Sequence, residues 1–126
     1  MTFPFDQTYT PPAPVINIRL STPEWDLSTE SVQALIDTGA DGTVIPMRYL
    51  HEIRAAIGDY GVMRSQWGEV RTVNLYLVDI EIPFGILPGI WVVGDSRGNE
   101  IILGRNVLNL LHFDINGPAQ TITMIG

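Results

Sequence analysis

Asp37, Thr38 and Gly39, with Ala40 and Asp41 directly after them, are the residues whose types and order could do chemistry. An apolar run, Ala34-Leu35-Ile36, stops at the Asp37 carboxylate, and a second, Val44-Ile45, begins after a short polar turn. Short apolar runs bounded by turn residues read as buried strands. A carboxylate fixed at the end of a core strand can be aimed into a cleft, where it can take a proton or give one, the task of a general base or acid. The bland alternative is a carboxylate that only caps a turn. Asp-Thr-Gly alone cannot separate the two, so the elements around it must.

Residues 1–14 contain Pro4, Pro11, Pro12 and Pro14, which cannot donate to a sheet or helix interior. The segment reads as an extended arm, laid along a partner or loose. Ile16, Ile18 and Leu20 alternate with Asn17 and Arg19, the period of a half-buried strand. Residues 21–29 read as a long polar hairpin connection, and 31–36 as the strand leading to Asp37. Leu50, Ile53 and Ile57 fall at helical spacing, which predicts a short helix or irregular turn over 47–57, ended by Gly58. Residues 61–71 form two β-prone arms around Gly68, whose freedom in φ suits a hairpin tip. The second arm continues through Val73, Leu75 and Leu77 to Ile82, before Pro83. Pro88-Gly89 marks another turn, and 90–93 another strand. Ile101-Ile102-Leu103 runs into Gly104, and Val107, Leu108 and Leu111 then offer one apolar face of a short amphipathic turn. Residues 113–115 and 121–125, on either side of Asn116-Gly117-Pro118, read as a C-terminal hairpin. Few residues remain for helices, so the chain is expected to be mostly β with one or two short helices.

Composition narrows the function classes. A chain of 126 residues is the size of one domain. With 45% hydrophobic and 17% charged residues it can build a core. No apolar run reaches the ~18 residues of a membrane span, so no membrane is expected as a partner. The N-terminus lacks the basic start and apolar stretch of a signal peptide, and the absence of cysteine suits a reducing compartment. The expected location is therefore cytoplasmic. A net charge of −7 argues against nucleic acid, whose binders carry a basic face. His51 and His112 are far apart and have no companion ligands at metal-site spacing, so neither a metal nor another cofactor is expected.

Four features occur in one order: an apolar strand into Asp37, Ala40-Asp41 after Gly39, a glycine-tipped hairpin, and Ile102-Leu103-Gly104-Arg105-Asn106 near the end. Over about residues 15–125 this order resembles the retropepsin-like aspartic protease family, in its single-domain, homodimeric, cellular or prokaryotic form. The resemblance implies a closed-barrel-like retropepsin (acid protease) fold over 15–126, preceded by the arm 1–14. It implies an aspartic endopeptidase in which water attacks the peptide bond between two carboxylates sharing one proton, since like charges a few ångströms apart resist ionising together. One Asp-Thr-Gly supplies half of such a pair, so the implied partner is a second copy of the chain.

By the same resemblance, Asp37 of each copy forms the dyad and Thr38 ties the two loops across the axis. Gly39 lets the substrate approach, while Ala40 and Asp41 hold the substrate backbone. Asp41 is expected to form an ion pair with Arg105, and Gly104 and Arg105 to support the loop. Leu35, Val44 and Ile102 fall at apolar subsite walls, and the hairpin over 61–70 becomes a flap closing on an extended peptide or unfolded protein, with Trp67 and Gly68 at its tip. Trp67 either contacts substrate or packs on its own hairpin. Asp95, Arg97 and Glu100, before Ile101, would make one subsite more polar. The C-terminal hairpin is expected to bury Ile122, Met124 and Phe113 between subunits. Two other readings stand beside the enzyme: a retropepsin-like dimer that binds peptides or proteins but cleaves weakly or not at all, and a small acidic β-domain with a structural role.

Overall fold

Strand alternation in the sequence becomes a sheet that closes on itself. The computed structural model describes residues 1–22, 26–64 and 67–126. Along the chain run β1 (Thr2–Pro4), β2 (Val15–Thr22), β3 (Leu27–Ser28), β4 (Val32–Ile36), β5 (Thr43–Pro46), α1 (Met47–Glu52), β6 (Ile57–Arg64) and β7 (Val70–Ile82). They are followed by β8 (Gly85–Asp95), β9 (Ile101–Leu103), α2 (Arg105–Leu108), β10 (His112–Asn116) and β11 (Thr121–Ile125). The large sheet has the order β3-β2-β4-β9-β5-β8-β7-β6, and β2 also pairs with β7. That extra ladder, Arg19 opposite Glu81 and Leu20 opposite Ile80, joins the two sides into a six-stranded barrel. The fold is the mostly β, barrel-like one expected.

The core follows from the period of two. Ile16, Ile18 and Leu20 of β2 point inward and are buried, while Asn17 and Arg19 between them are exposed. Ala34, Ile36, Ile45, Val78, Ile80, Val92, Ile101 and Leu103 meet them from the other strands. Each fully buried Ile or Leu contributes about 1.5–3 kcal/mol through its removal from water. The Arg19–Glu81 pair at 3.8 Å lies on the solvent-facing side of the β2–β7 seam, with both side chains about half exposed, so it adds little beside this core.

Several elements differ from expectation. The helix ends at Glu52, well short of Gly58, because Arg54 takes a positive φ of 56° and the Ala55 amide turns back to Leu50. Ile57 and Gly58 then begin β6. Pro88-Gly89 is no turn but a bulge inside β8: Val78 pairs with Ile90 and Ile80 with Leu87, so two residues oppose the single Asp79. Gly89 has φ 64°, and its amide donates to the Asp79 carboxylate at 2.9 Å. Proline, which lacks an N–H, is tolerated where the ladder is already interrupted. Within the polar connection expected over 21–29, β2 runs on to Thr22 and pairs back with β3; residues 23–25 lie outside the described residues.

A second sheet, β1-β11-β10, packs beside the barrel. The first residues pair with their own chain's last strand, Phe3 opposite Ile122. Ile122 and Met124 are 0% and 2% exposed and belong to the chain's own core, with Phe113 packed against it. The expected burial of Ile122 and Met124 between subunits is therefore corrected: one chain already covers them.

Candidate active site

Three strands and a crossing loop build the site. β4 runs parallel to β9, and β5 runs antiparallel on the other side of β9. The connection from β4 to β5, residues 37–42, must therefore pass over the end of β9, where Gly104 lies. A Cβ on Gly104 would stand 2.2 Å from the Gly42 carbonyl oxygen and 3.0 Å from that of Ala40. Only glycine admits the loop so close.

Backbone hydrogen bonds pin the loop from beneath. The Asp37 amide donates to Leu103 at 3.1 Å, the Arg105 amide to Ala40 at 2.8 Å, and the Asn106 amide to Asp41 at 3.3 Å. Thr43, wholly buried, accepts from the Gly104 amide at 3.1 Å and donates to Asn106 Oδ1 at 2.8 Å. Asn106 Nδ2 then donates to the Trp91 carbonyl at 2.9 Å, tying α2 to β8. Thr43 and Asn106 were not singled out from sequence as site residues. The signal available was a lone polar residue opening an apolar strand and a polar residue just past Gly104.

The functional groups sit on this platform. Asp37 is half-buried, and its Oδ1 accepts the Gly39 amide at 2.9 Å. A Cβ on Gly39 would lie 3.2 Å from that oxygen, so the glycine lets the loop fold tightly around the carboxylate. Thr38 is exposed beside it. The Arg105 guanidinium donates to the Thr38 carbonyl at 2.9 Å. No ion pair joins Arg105 to Asp41; that expectation is corrected. The main chain of Arg105 passes under Ala40, and its side chain reaches back across the loop to a carbonyl.

Leu35, Ile102 and Val44, each half-buried, lie side by side across β4, β9 and β5, and Val93 of β8 continues the row. The β6–β7 hairpin stands over this side of the barrel, with Arg64 opposite Val70 and Met63 opposite Arg71. Between hairpin and loop is a cavity of about 260 Å³ lined by Asp41, Gly42, Val62, Met63, Arg64 and Val93. Gly68 has φ 83° with nothing within 4 Å of its missing Cβ, and Trp67 is 81% exposed. Residues 65 and 66 of the tip lie outside the described residues.

The loop before β9 is held by its own contacts. Asp95 accepts the Arg97 amide at 2.9 Å, which together with the nearby Arg71 and Arg97 charges keeps its carboxyl below the usual range. Tyr9, from the N-terminal segment, donates its hydroxyl to Glu100 at 2.6 Å, and this bond raises the Tyr9 pKa to about 12.

No family model matches the chain. In sequence it is 33% identical over 112 residues to a protease of bovine leukemia virus (isolate Japanese BLV-1), covering 85% of this chain. The chain spans 56% of that viral protein's length. It is 30% identical to a Gag-Pro polyprotein of bovine leukemia virus (isolate Australian), of which it spans 19%. In structure it superposes on a retropepsin-like aspartic protease from Rickettsia conorii with a TM-score of 0.65 at 11% identity, covering 98% of this chain and 88% of the other. EIAV protease, bound to an inhibitor, superposes with a TM-score of 0.54 at 19% identity, over 77% of this chain and 86% of that one. In fold the chain is like the retropepsin-like aspartic proteases, and in sequence it is kin to retroviral proteases.

Proposed function

We propose that the chain is an aspartic endopeptidase whose active site is completed by a second copy of itself. The observation that carries the reading is the half-buried Asp37 carboxylate, held on a loop pinned through Leu103, Gly104, Thr43 and Asn106 and oriented by the Gly39 amide. Kinship to retroviral proteases supports the class of reaction. One such carboxylate can serve as base or as acid, but peptide hydrolysis without a covalent intermediate needs both at once. Two copies of Asp37 meeting at a two-fold axis supply both: one carboxylate takes a proton from water while the other, protonated, donates to the carbonyl oxygen. The pair titrates as a unit, so no proton is assigned to either copy.

In this reading the exposed Thr38 hydroxyls link the two loops, and Gly39, Ala40 and Asp41 receive the substrate backbone. Leu35, Val44 and Ile102 form apolar subsite walls. The hairpin with Trp67 and Gly68 at its tip closes over an extended peptide and excludes water. Gly104 and Arg105 hold the loop from below. The cysteine-free composition fits a reducing compartment such as the cytoplasm.

The test is cleavage of a denatured protein and a peptide library from acidic to neutral pH by wild type and Asp37→Asn. Cleavage by wild type and none by the variant is expected. No cleavage by either, with retained peptide binding, would favour the binding-module reading; equal cleavage by both would end the dyad.

A further inference from the structure

All seven positive charges of the chain are arginines, set against fourteen acidic residues. Two of them, Arg64 and Arg71, stand on the hairpin that faces the catalytic loop. Arg64 lines the cavity shared with Asp41 and Gly42, and also an adjoining one of about 300 Å³ with Met63, Glu69, Val70 and Arg71. The Arg71 guanidinium lies 3.7 Å from the Met63 sulfur and acts on Asp95 at longer range. Arg64 is exposed, and among the described residues it forms no ion pair or side-chain hydrogen bond. The residues lining the two cavities with it thus include Asp41 and Glu69, both acidic, and the apolar Val62, Met63 and Val93.

We infer that Arg64 selects a glutamate side chain of the substrate, at a position flanking the scissile bond and not adjacent to it. The inference rests on reading this cleft as the one that holds an extended peptide. A guanidinium fork matches a carboxylate in two parallel hydrogen bonds, which a neutral side chain cannot reproduce. The walls give the methylenes of glutamate an apolar surface, and the length of the side chain carries its charge past Asp41 to Arg64. Elsewhere the acidic surface repels an acidic peptide, so Arg64 acts as a local, register-setting exception. By two-fold symmetry the preference appears on both sides of the cleaved bond. For a solvent-facing pair the discrimination of glutamate over glutamine is about two- to fivefold per position, larger at low salt.

The experiment uses peptides carrying Glu, Gln or Lys at each of four positions on either side of the cleaved bond. Cleavage is measured with wild type, Arg64→Ala, Arg64→Glu and, as a control on the far seam of the barrel, Arg19→Ala. Binding of the same peptides to Asp37→Asn, with and without Arg64→Ala, is followed by fluorescence anisotropy. A Glu preference at one symmetric pair of positions, abolished by Arg64→Ala, turned toward Lys by Arg64→Glu and unchanged in Arg19→Ala, is expected. Cleavage with no such preference, or one that survives Arg64→Ala, overturns the role of Arg64 and leaves the protease standing. Absence of cleavage with an Arg64-dependent Glu preference in binding overturns the protease and leaves the selection standing. If neither cleavage nor binding depends on Glu, Arg64 selects nothing.

Discussion

Gly104 shows what one residue contributes when two chain segments cross. Its missing side chain is the space in which the Gly42 and Ala40 carbonyls lie. Gly104→Ala should destabilise the fold by about 2–4 kcal/mol, at or above the usual cost of overpacking, because the obstructing atoms are backbone. Urea unfolding would show the loss, and cleavage should fall with it. Thr43→Val keeps the shape but strips one hydroxyl from between Gly104 and Asn106. Leaving those two groups without their partner should cost about 1–3 kcal/mol, read by the same denaturation, with Trp91 to Asn106 contact weakened as well. The Asp37-Thr38-Gly39 tripeptide, proposed as catalytic, stands out in the sequence because its residue types could themselves do the chemistry. The bonds of Thr43 were not, since they span 61 and 63 positions and no local pattern encodes them. For the same reason sequence order cannot tell that the Arg105 guanidinium meets the Thr38 carbonyl and not the Asp41 carboxylate.

Among the elements, the hairpin and the loop before β9 carry the testable behaviour. Gly68→Ala meets no steric obstacle, yet φ 83° is a conformation that L side chains resist by roughly 1–2 kcal/mol. The hairpin tip should shift while the barrel keeps its stability, so kcat/KM on peptides should fall about tenfold at nearly unchanged urea midpoint, given that closing lids set substrate commitment. A drop in the midpoint with unchanged kcat/KM would place Gly68 in the fold and not in the lid. The Tyr9–Glu100 bond ties the N-terminal segment to the loop 95–100. Because its pKa is raised to about 12, the Tyr9 hydroxyl supports the folded state fully below the ordinary tyrosine range of about 10 and loses that support as pH rises through the higher value. Ultraviolet titration should show one tyrosine ionising late, and Tyr9→Phe should remove that late step. Alternation signals the strands well, whereas helical spacing extends α1 beyond Glu52 and the Pro88-Gly89 pair reads as a turn where the structure has a bulge. Helical spacing cannot report that Arg54 turns left-handed, and a Pro-Gly pair looks alike in a turn and in a bulge opposite Asp79.

At the scale of the molecule, the barrel depends on the β2–β7 seam, a pairing between residues about 60 positions apart that alternation alone does not specify. The mostly β class was readable from composition and period; closure entered only through resemblance. The C-terminal hairpin was also readable, but the destination of its apolar face was not: Ile122 and Met124 fill the chain's own core, and β1 occupies one edge of β11. In the proposed dimer, a second copy would meet this chain through surfaces that include the Asp37 loop itself, where Thr38 is exposed. Sedimentation velocity across a dilution series should show a monomer–dimer equilibrium whose dimer fraction tracks specific activity.

The proposed shared site makes a sharper demand. Wild-type chains are held at a fixed concentration, Asp37→Asn chains are added in increasing excess, subunits are allowed to exchange, and peptide cleavage is measured. If one site is built from two Asp37 residues, mixed dimers are inactive, and activity should fall toward zero as the variant captures the wild-type chains. Wild-type activity that stays constant through a large excess of Asp37→Asn would mean that a single chain cleaves on its own, and would contradict the account.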